Sequence, residues 1–200
     1  MVIQDIRGHL IFIMAPMASG KRSLTAYVER VFPQITRTVS CTTREKRPQE
    51  VEGVDYCFMS RSDFERKIAE GSFIEWAEFS GNLYGTLQSE LVSRLQQGEV
   101  VICEVDLQGV VQLTNIIPRN NYTIIYIDGG DWETLKARAL LRAPIGERDL
   151  ALRYTRYCEE EAFKHRADFV IKNGNDQLEE AQAHMREIVG NCIKKVTEHV

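Results

Sequence analysis

A short apolar run, Leu10, Ile11, Phe12, Ile13 and Met14, heads a loop and a helix, and that order constrains the chain more than any other feature. Such a run reads as a strand buried on both faces and is too short for a core helix. Small residues, Pro16 and Gly20 follow, and from Leu24 to Val31 apolar side chains take up helical spacing. Strand, tight loop and helix form the setting of a phosphate-binding loop, where backbone N–H groups and the helix N-terminus make an anion site. Gly20 and Lys21 supply the end of the pattern G-x-x-x-x-G-K-[ST], with the lysine placed to reach the β- and γ-phosphates. The pattern is altered at Ala15, its first glycine position, and at Arg22, where a magnesium-binding hydroxyl belongs. Alone, the segment reads equally as a strand-turn-helix corner with an exposed lysine.

Two hundred residues suit one domain with ample core and a mobile subdomain or two. No apolar run approaches the roughly 18 residues of a membrane span, and the first seven residues lack the pattern of a secretory signal. The net charge of −4 argues against a general nucleic-acid or membrane-surface binder. The five cysteines are scattered without a C-x-x-C pair, so reduced thiols in a cytoplasmic protein are expected, with neither zinc site nor disulfide framework.

Further apolar strands are expected at 100–106, 122–127 and 169–171. They alternate with helices at 89–97, 109–115, 131–141, 149–164 and 178–199. That alternation predicts an α/β fold, a parallel sheet flanked by helices. Residues 40–84 break the rhythm and read as an inserted antiparallel subdomain. Within it, 53–59 and 73–79 are expected strands, 81–86 a turn, and Ser62 and Asp63 the cap of a helix through Ala69.

Several segments carry chemistry. Arg44 and Arg47 follow a polar turn, and Tyr56 comes soon after; two guanidiniums and a phenol can clamp a phosphate, or form an ordinary solvated basic loop. Glu75 lies between Ile74 and Trp76 in a strand. Buried, its carboxylate can accept from two adjacent N–H groups, such as guanine N1 and the 2-amino group; otherwise alternation turns it to water. Glu104 and Asp106 close a buried strand, where a carboxylate can hold metal-bound water, pair with an arginine or cap a helix. Arg138, Arg142, Arg153 and Arg156 flank a break at 143–146. They suit either a segment closing over a triphosphate or a charged helix face.

Taken together, these motifs resemble guanylate kinase over nearly the whole chain. They are residues 15–21, Ser40 to Pro48, Gly53 to Tyr56, Phe73 to Trp76, Tyr84 to Thr86, Glu104 to Gly109, and Arg138-x-x-x-Arg142. The resemblance implies a core (about 1–39, 87–136 and 158–200), a GMP-binding subdomain (about 40–86) and a lid (about 137–157). It implies phosphorylation of GMP by ATP with Mg2+ and no nucleic-acid or membrane partner. Ser40, Glu75 and Asp106 would read the guanine, and Arg44, Arg47, Tyr56 and Tyr84, with Thr86 nearby, would hold the GMP phosphate. Lys21, Arg138, Arg142 and Arg153 would surround the transferred phosphoryl. ATP would lie on Ala15, Pro16, Met17, Ala18, Ser19, Gly20, Lys21, Arg22 and Ser23, with Asn173 near the adenine. No side chain is assigned directly to the metal; Glu104 would reach it through water. The rival reading is a guanylate-kinase-like sensor that holds GMP or a phospho-ligand without turnover. The departures cluster at the ATP end, so Arg22→Ser is expected to raise turnover and leave GMP affinity unchanged.

Overall fold

The computed structural model describes residues 3–198. β1 (His9–Met14) is buried along its whole length. Its pleat sends Ile11 and Ile13 into one apolar cluster and Leu10, Phe12 and Met14 into another. This is why the run is apolar without alternation. The strand is the centre of a five-stranded parallel sheet. The order is β2 (Thr36–Arg37), β7 (Val100–Glu104), β1, β8 (Tyr122–Asp128) and β9 (Phe169–Lys172).

The Ile11 side is covered by α1 (Lys21–Val31) and α7 (Leu178–Glu198), through Leu24, Val28, Met185, Ile188 and Val189. The other side is covered by α3 (Gln88–Gln96), α4 (Leu107–Thr114) and the end of α6 (Glu147–Phe163). α5 (Trp132–Leu140) follows β8. No helix among the described residues is long and apolar enough to cross a membrane.

Between β2 and α3 the chain builds a second sheet, in the order β4 (Cys57–Phe58), β3 (Cys41–Thr42), β6 (Asn82–Leu87) and β5 (Phe73–Phe79). Its buried core is small: Cys41, Phe64 and Leu83. Phe64 comes from α2 (Arg61–Ala69) and stacks on Phe73 with ring centroids 4.2 Å apart.

Several expected elements differ here. Of the expected turn at 81–86, residues 82–86 belong to a strand, because the turn is only Ser80 (φ 48°) and Gly81 (φ 74°), and Phe79 already pairs with Asn82. Gly53 (φ 71°) begins a turn, so the expected strand at 53–59 shrinks to Cys57 and Phe58. The cap of α2 is Ser60, whose Oγ accepts from the Asp63 N–H at 3.1 Å. The 100–106 strand stops at Glu104, because Asp106 caps α4 by accepting from the Gly109 N–H at 2.8 Å. The last helix runs to Glu198; its expected final residue, His199, lies outside the described residues.

Candidate active site

β1 has neighbours on both sides, and the crevice outside the carboxyl ends of such strands is where α/β sheets bind ligands. The loop after β1 lies there, and Ile13 pairs in register with Glu104 on β7. Gly20 closes the loop at φ 88°, and a Cβ added to it would come within 2.2 Å of the Asn173 Nδ2. Only glycine fits. Asn173 is buried and donates through that nitrogen to the Ser19 carbonyl at 2.7 Å, while the Ser19 hydroxyl donates to the Pro16 carbonyl at 2.8 Å. Of the two loop alanines, Ala15 and Ala18, only Ala18 has a positive φ, at 58°. An L-residue there costs about 1–2 kcal/mol, and the looser unfolded chain of a glycine variant returns part of that. Ala18→Gly is therefore expected to stabilise the fold by about 0.5–1 kcal/mol, read as a shifted midpoint in denaturant unfolding.

A cavity of about 260 Å³ opens between the two sheets. Lys21, Glu104 and Asp106 line it from the core, Ser40, Arg44, Arg47, Tyr56, Glu75 and Tyr84 from the small sheet, and Arg153 and Arg156 from α6. Glu75 is 6 % exposed while Trp76 beside it is 40 % exposed. A register shift between Phe73 and Glu75 sets this phase, so Glu75 and Ala77 both face inward. Burial pushes the Glu75 carboxyl up to about 7; Thr86, its cross-strand partner, works against the rise and the charge of Asp106 adds to it. Glu104 Oε1 is buried with no hydrogen-bond partner. Gly109 lets α4 approach, since a Cβ there would stand 3.0 Å from Glu75 Oε2.

At the other end of the cavity Arg44 donates to Glu50 Oε1 at 2.7 Å and lies over the Tyr56 and Phe58 rings, at 5.4 and 5.7 Å. Arg47 is looser: its side chain is 63 % exposed and 3.9 Å from the same Glu50 oxygen. Tyr56 and Tyr84 meet edge to face at 6.0 Å. Glu50 thus supplies a carboxylate at the cationic end of the cavity. Burial alone would raise its pKa, but Arg44 and the Arg47 N–H hold it below the ordinary carboxylate value.

A smaller cavity of about 170 Å³ lies between the loop after β1 and α6, lined by Ala15, Met17, Lys21, Phe79, Arg153, Arg156 and Glu160. Met17 Sδ is 3.6 Å from Arg153 Nη1, so its thioether partly occupies the mouth of the loop. The remaining arginines stand apart. Arg138 donates to the Gly129 and Asn173 carbonyls and to Asn175 Oδ1, tying loops together, and Arg142 is exposed. Arg22 pairs with Asp55 at 3.0 Å, and Ser23 is exposed.

The sequence model of the family described as guanylate kinase matches residues 7–192 of this chain. The chain belongs to the guanylate kinase family. A guanylate kinase from Rubrobacter xylanophilus is 38 % identical over 187 residues, covering 94 % of this chain and 96 % of that one. One from Thermotoga maritima is 33 % identical, covering 96 % and 91 %. The crystal structure of guanylate kinase from Anaplasma phagocytophilum superposes with a TM-score of 0.71 at 27 % identity, covering 94 % of this chain and 86 % of that one.

Within this guanylate kinase fold, the sequence reading assigned no site role to Glu50, Phe79 or Glu160, and took Arg156 only as one of the arginines flanking the break at 143–146. Arg156 reaches Asp106 Oδ2 at 2.9 Å and Glu160 Oε1 at 3.0 Å, with its guanidinium 4.5 Å over the Phe79 ring. It joins α6 to both sheets. Burial raises the Glu160 carboxyl, and Arg156 and Lys21 counter the rise. The one signal available in the sequence was the i,i+4 spacing of Arg156 and Glu160.

Proposed function

We propose that this chain phosphorylates GMP to GDP with ATP, in the cytoplasm. The observation that carries the reading is the buried Glu75 at one end of a cavity whose other end is cationic. The carboxylate accepts from guanine N1–H and the 2-amino group, with Ser40 and Asp106 beside it. Arg44, Arg47, Tyr56 and Tyr84 hold the phosphate. Residues 40–86 form the GMP arm and 137–157 the lid.

Lys21 and Arg153 neutralise charge that develops as the phosphoryl group passes from ATP to GMP. Such transfer rests on positioning and electrostatics and needs no strong general base. Arg138 braces the loops under the ATP end, and Arg142 lies on the lid turn within reach of solvent. Magnesium enters with ATP. Among the described residues no cluster of three or more His, Cys, Asp or Glu could cage it, which suits an ion bound mainly through phosphates and water. Glu104, with its orphaned buried oxygen, would hold one of those waters. When bound, the ion neutralises phosphate charge.

Coupled assay of ADP release with GMP, ATP and magnesium, beside calorimetric titration of GMP alone, tests the reading. Turnover supports it; GMP binding without turnover supports the sensor instead. Arg44→Ala is expected to weaken GMP roughly ten- to hundredfold, because a charge-assisted bond contributes about 1.5–3 kcal/mol. Arg47→Ala should cost less, since its side chain is mostly solvated. Guanosine affinity should barely change in either variant. Loss of guanosine and GMP in equal proportion would make that arginine structural.

A further inference from the structure

The sharpest departure in the phosphate-binding loop has a partner in the turn that leads into β4. Arg22 sits in the first turn of α1, a helix with no acidic residue in that turn. A cation there opposes the helix dipole, so helix stability does not account for it. Its Nη2 donates to Asp55 Oδ1 at 3.0 Å, and Asp55 Oδ2 accepts from the Val51 N–H at 2.8 Å. Asp55 thus fixes the loop at 51–55 with one oxygen and ties it to α1 with the other. Arg37, on β2, holds the same loop: its Nη2 donates to the Val54 carbonyl at 2.6 Å, while its Nε donates to Glu29 on α1 at 3.0 Å. The next residue is Tyr56, which packs under Arg44 at the cationic end of the cavity.

We infer that Arg22 is a positioning residue for GMP, a strut from the ATP-side loop to the arm that carries Tyr56 and Arg44. This rests on the reading of that cavity as the GMP site. In this chain the position after the loop lysine gives up a neutral hydroxyl and takes hold of the acceptor arm. The expectation that Arg22→Ser leaves GMP affinity unchanged is replaced: the loss falls on GMP.

The size of the effect follows from exposure. The Arg22 side chain is 47 % exposed and that of Asp55 26 %, so the pair is solvent-screened and its coupling is a matter of a few-fold. A double-mutant cycle on Arg22→Ala and Asp55→Asn reads it; asparagine keeps an oxygen for the Val51 N–H and drops the charge. The KM for GMP is measured at saturating magnesium–ATP, and the KM for ATP and the melting temperature are followed in parallel. Each single variant is expected to raise the GMP KM roughly two- to fivefold. The double variant should be no worse than the worse single, and Arg22→Lys should restore most of the loss. Non-additivity should appear in the GMP KM and not in the ATP KM, and should shrink at high salt. The inference is overturned if the two losses multiply, if the GMP KM does not move, or if the coupling appears only in the ATP KM. Binding of GMP by the unmodified chain with multiplicative losses sinks the strut alone; absence of both turnover and calorimetric GMP binding sinks the GMP reading with it.

Discussion

Glu75→Gln is expected to weaken GMP about a hundredfold or more and to remove the acid limb of its pH dependence. Two charge-assisted bonds to the base are at stake, at about 1.5–3 kcal/mol each. An amide can offer one acceptor atom but sets a donor against the guanine N–H pair. Sites built to bond a substrate group reject analogues lacking it, so AMP should bind the unmodified chain far more weakly, and the variant should narrow that gap. The unmodified chain must lose a proton from Glu75 before it can accept both bonds. Since the carboxyl titrates near 7, kcat/KM for GMP should fall about tenfold for each pH unit below that point. Equal affinity for GMP and AMP, or an unchanged acid limb in Glu75→Gln, would remove the base-reading role.

The same substitution should stabilise the fold in alkali. Glu75 holds its proton to about pH 7 when folded, against an ordinary carboxyl value of 4.5. Between these values the folded chain binds the extra proton, so the unfolding free energy falls as pH rises through the window. The loss by pH 8 is about 3 kcal/mol, from a shift of about two and a half units at about 1.4 kcal/mol each. Glu75→Gln should therefore melt higher than the unmodified chain at pH 8 and close to it at pH 5. Stability and substrate recognition oppose each other at this residue.

Lys21→Met is expected to lower turnover by about two to three orders of magnitude while changing GMP affinity little. Lys21 opens α1 directly after Gly20 and lines both cavities. Its charge therefore lies between the loop after β1 and the cavity proposed to hold GMP. Methionine keeps the aliphatic stem and removes the cation, so packing is preserved and the electrostatic contribution is lost. Steady-state kinetics with GMP varied at saturating ATP separates the two. A large rise in the GMP KM with unchanged kcat would assign Lys21 to substrate holding instead.

Much of this was legible in the chain, and the exceptions share a cause. The β1 run and its helix were readable because burial on both faces leaves no alternation to misread. Whether Glu75 faced in or out was not readable, because a register shift before it sets the phase and no composition marks that shift. Residues 81–86 read as a turn because Gly81 and Gly85 fall within them. Gly85 instead lies where the strands crowd, its added Cβ 2.8 Å from the Glu75 carbonyl. Ser60 and Ser62 are equally good caps by type, and only the backbone decides between them. Arg22 and Arg156 find partners 33 and 50 residues away, at Asp55 and Asp106. Local periodicity cannot see such pairs. The cavity-lining residues assigned from motifs were those held by nearby turns and strand ends.

The small sheet has a further consequence. Its buried core is only Cys41, Phe64 and Leu83, yet it is inserted between β2 and α3, whose neighbour β7 completes the β2 pairing. Opening it would expose less apolar surface than opening the large sheet, at the cost of the Ile74 packing and the Gln112–Trp76 bonds that join β5 to the layer of α3 and α4. The arm is thus expected to open with a local unfolding free energy below that of the whole chain, read as faster amide exchange in 40–86. Bound GMP, touching this unit and the core together, would raise that local free energy through mass action. Ordering of the arm and occupancy by substrate then become a single equilibrium.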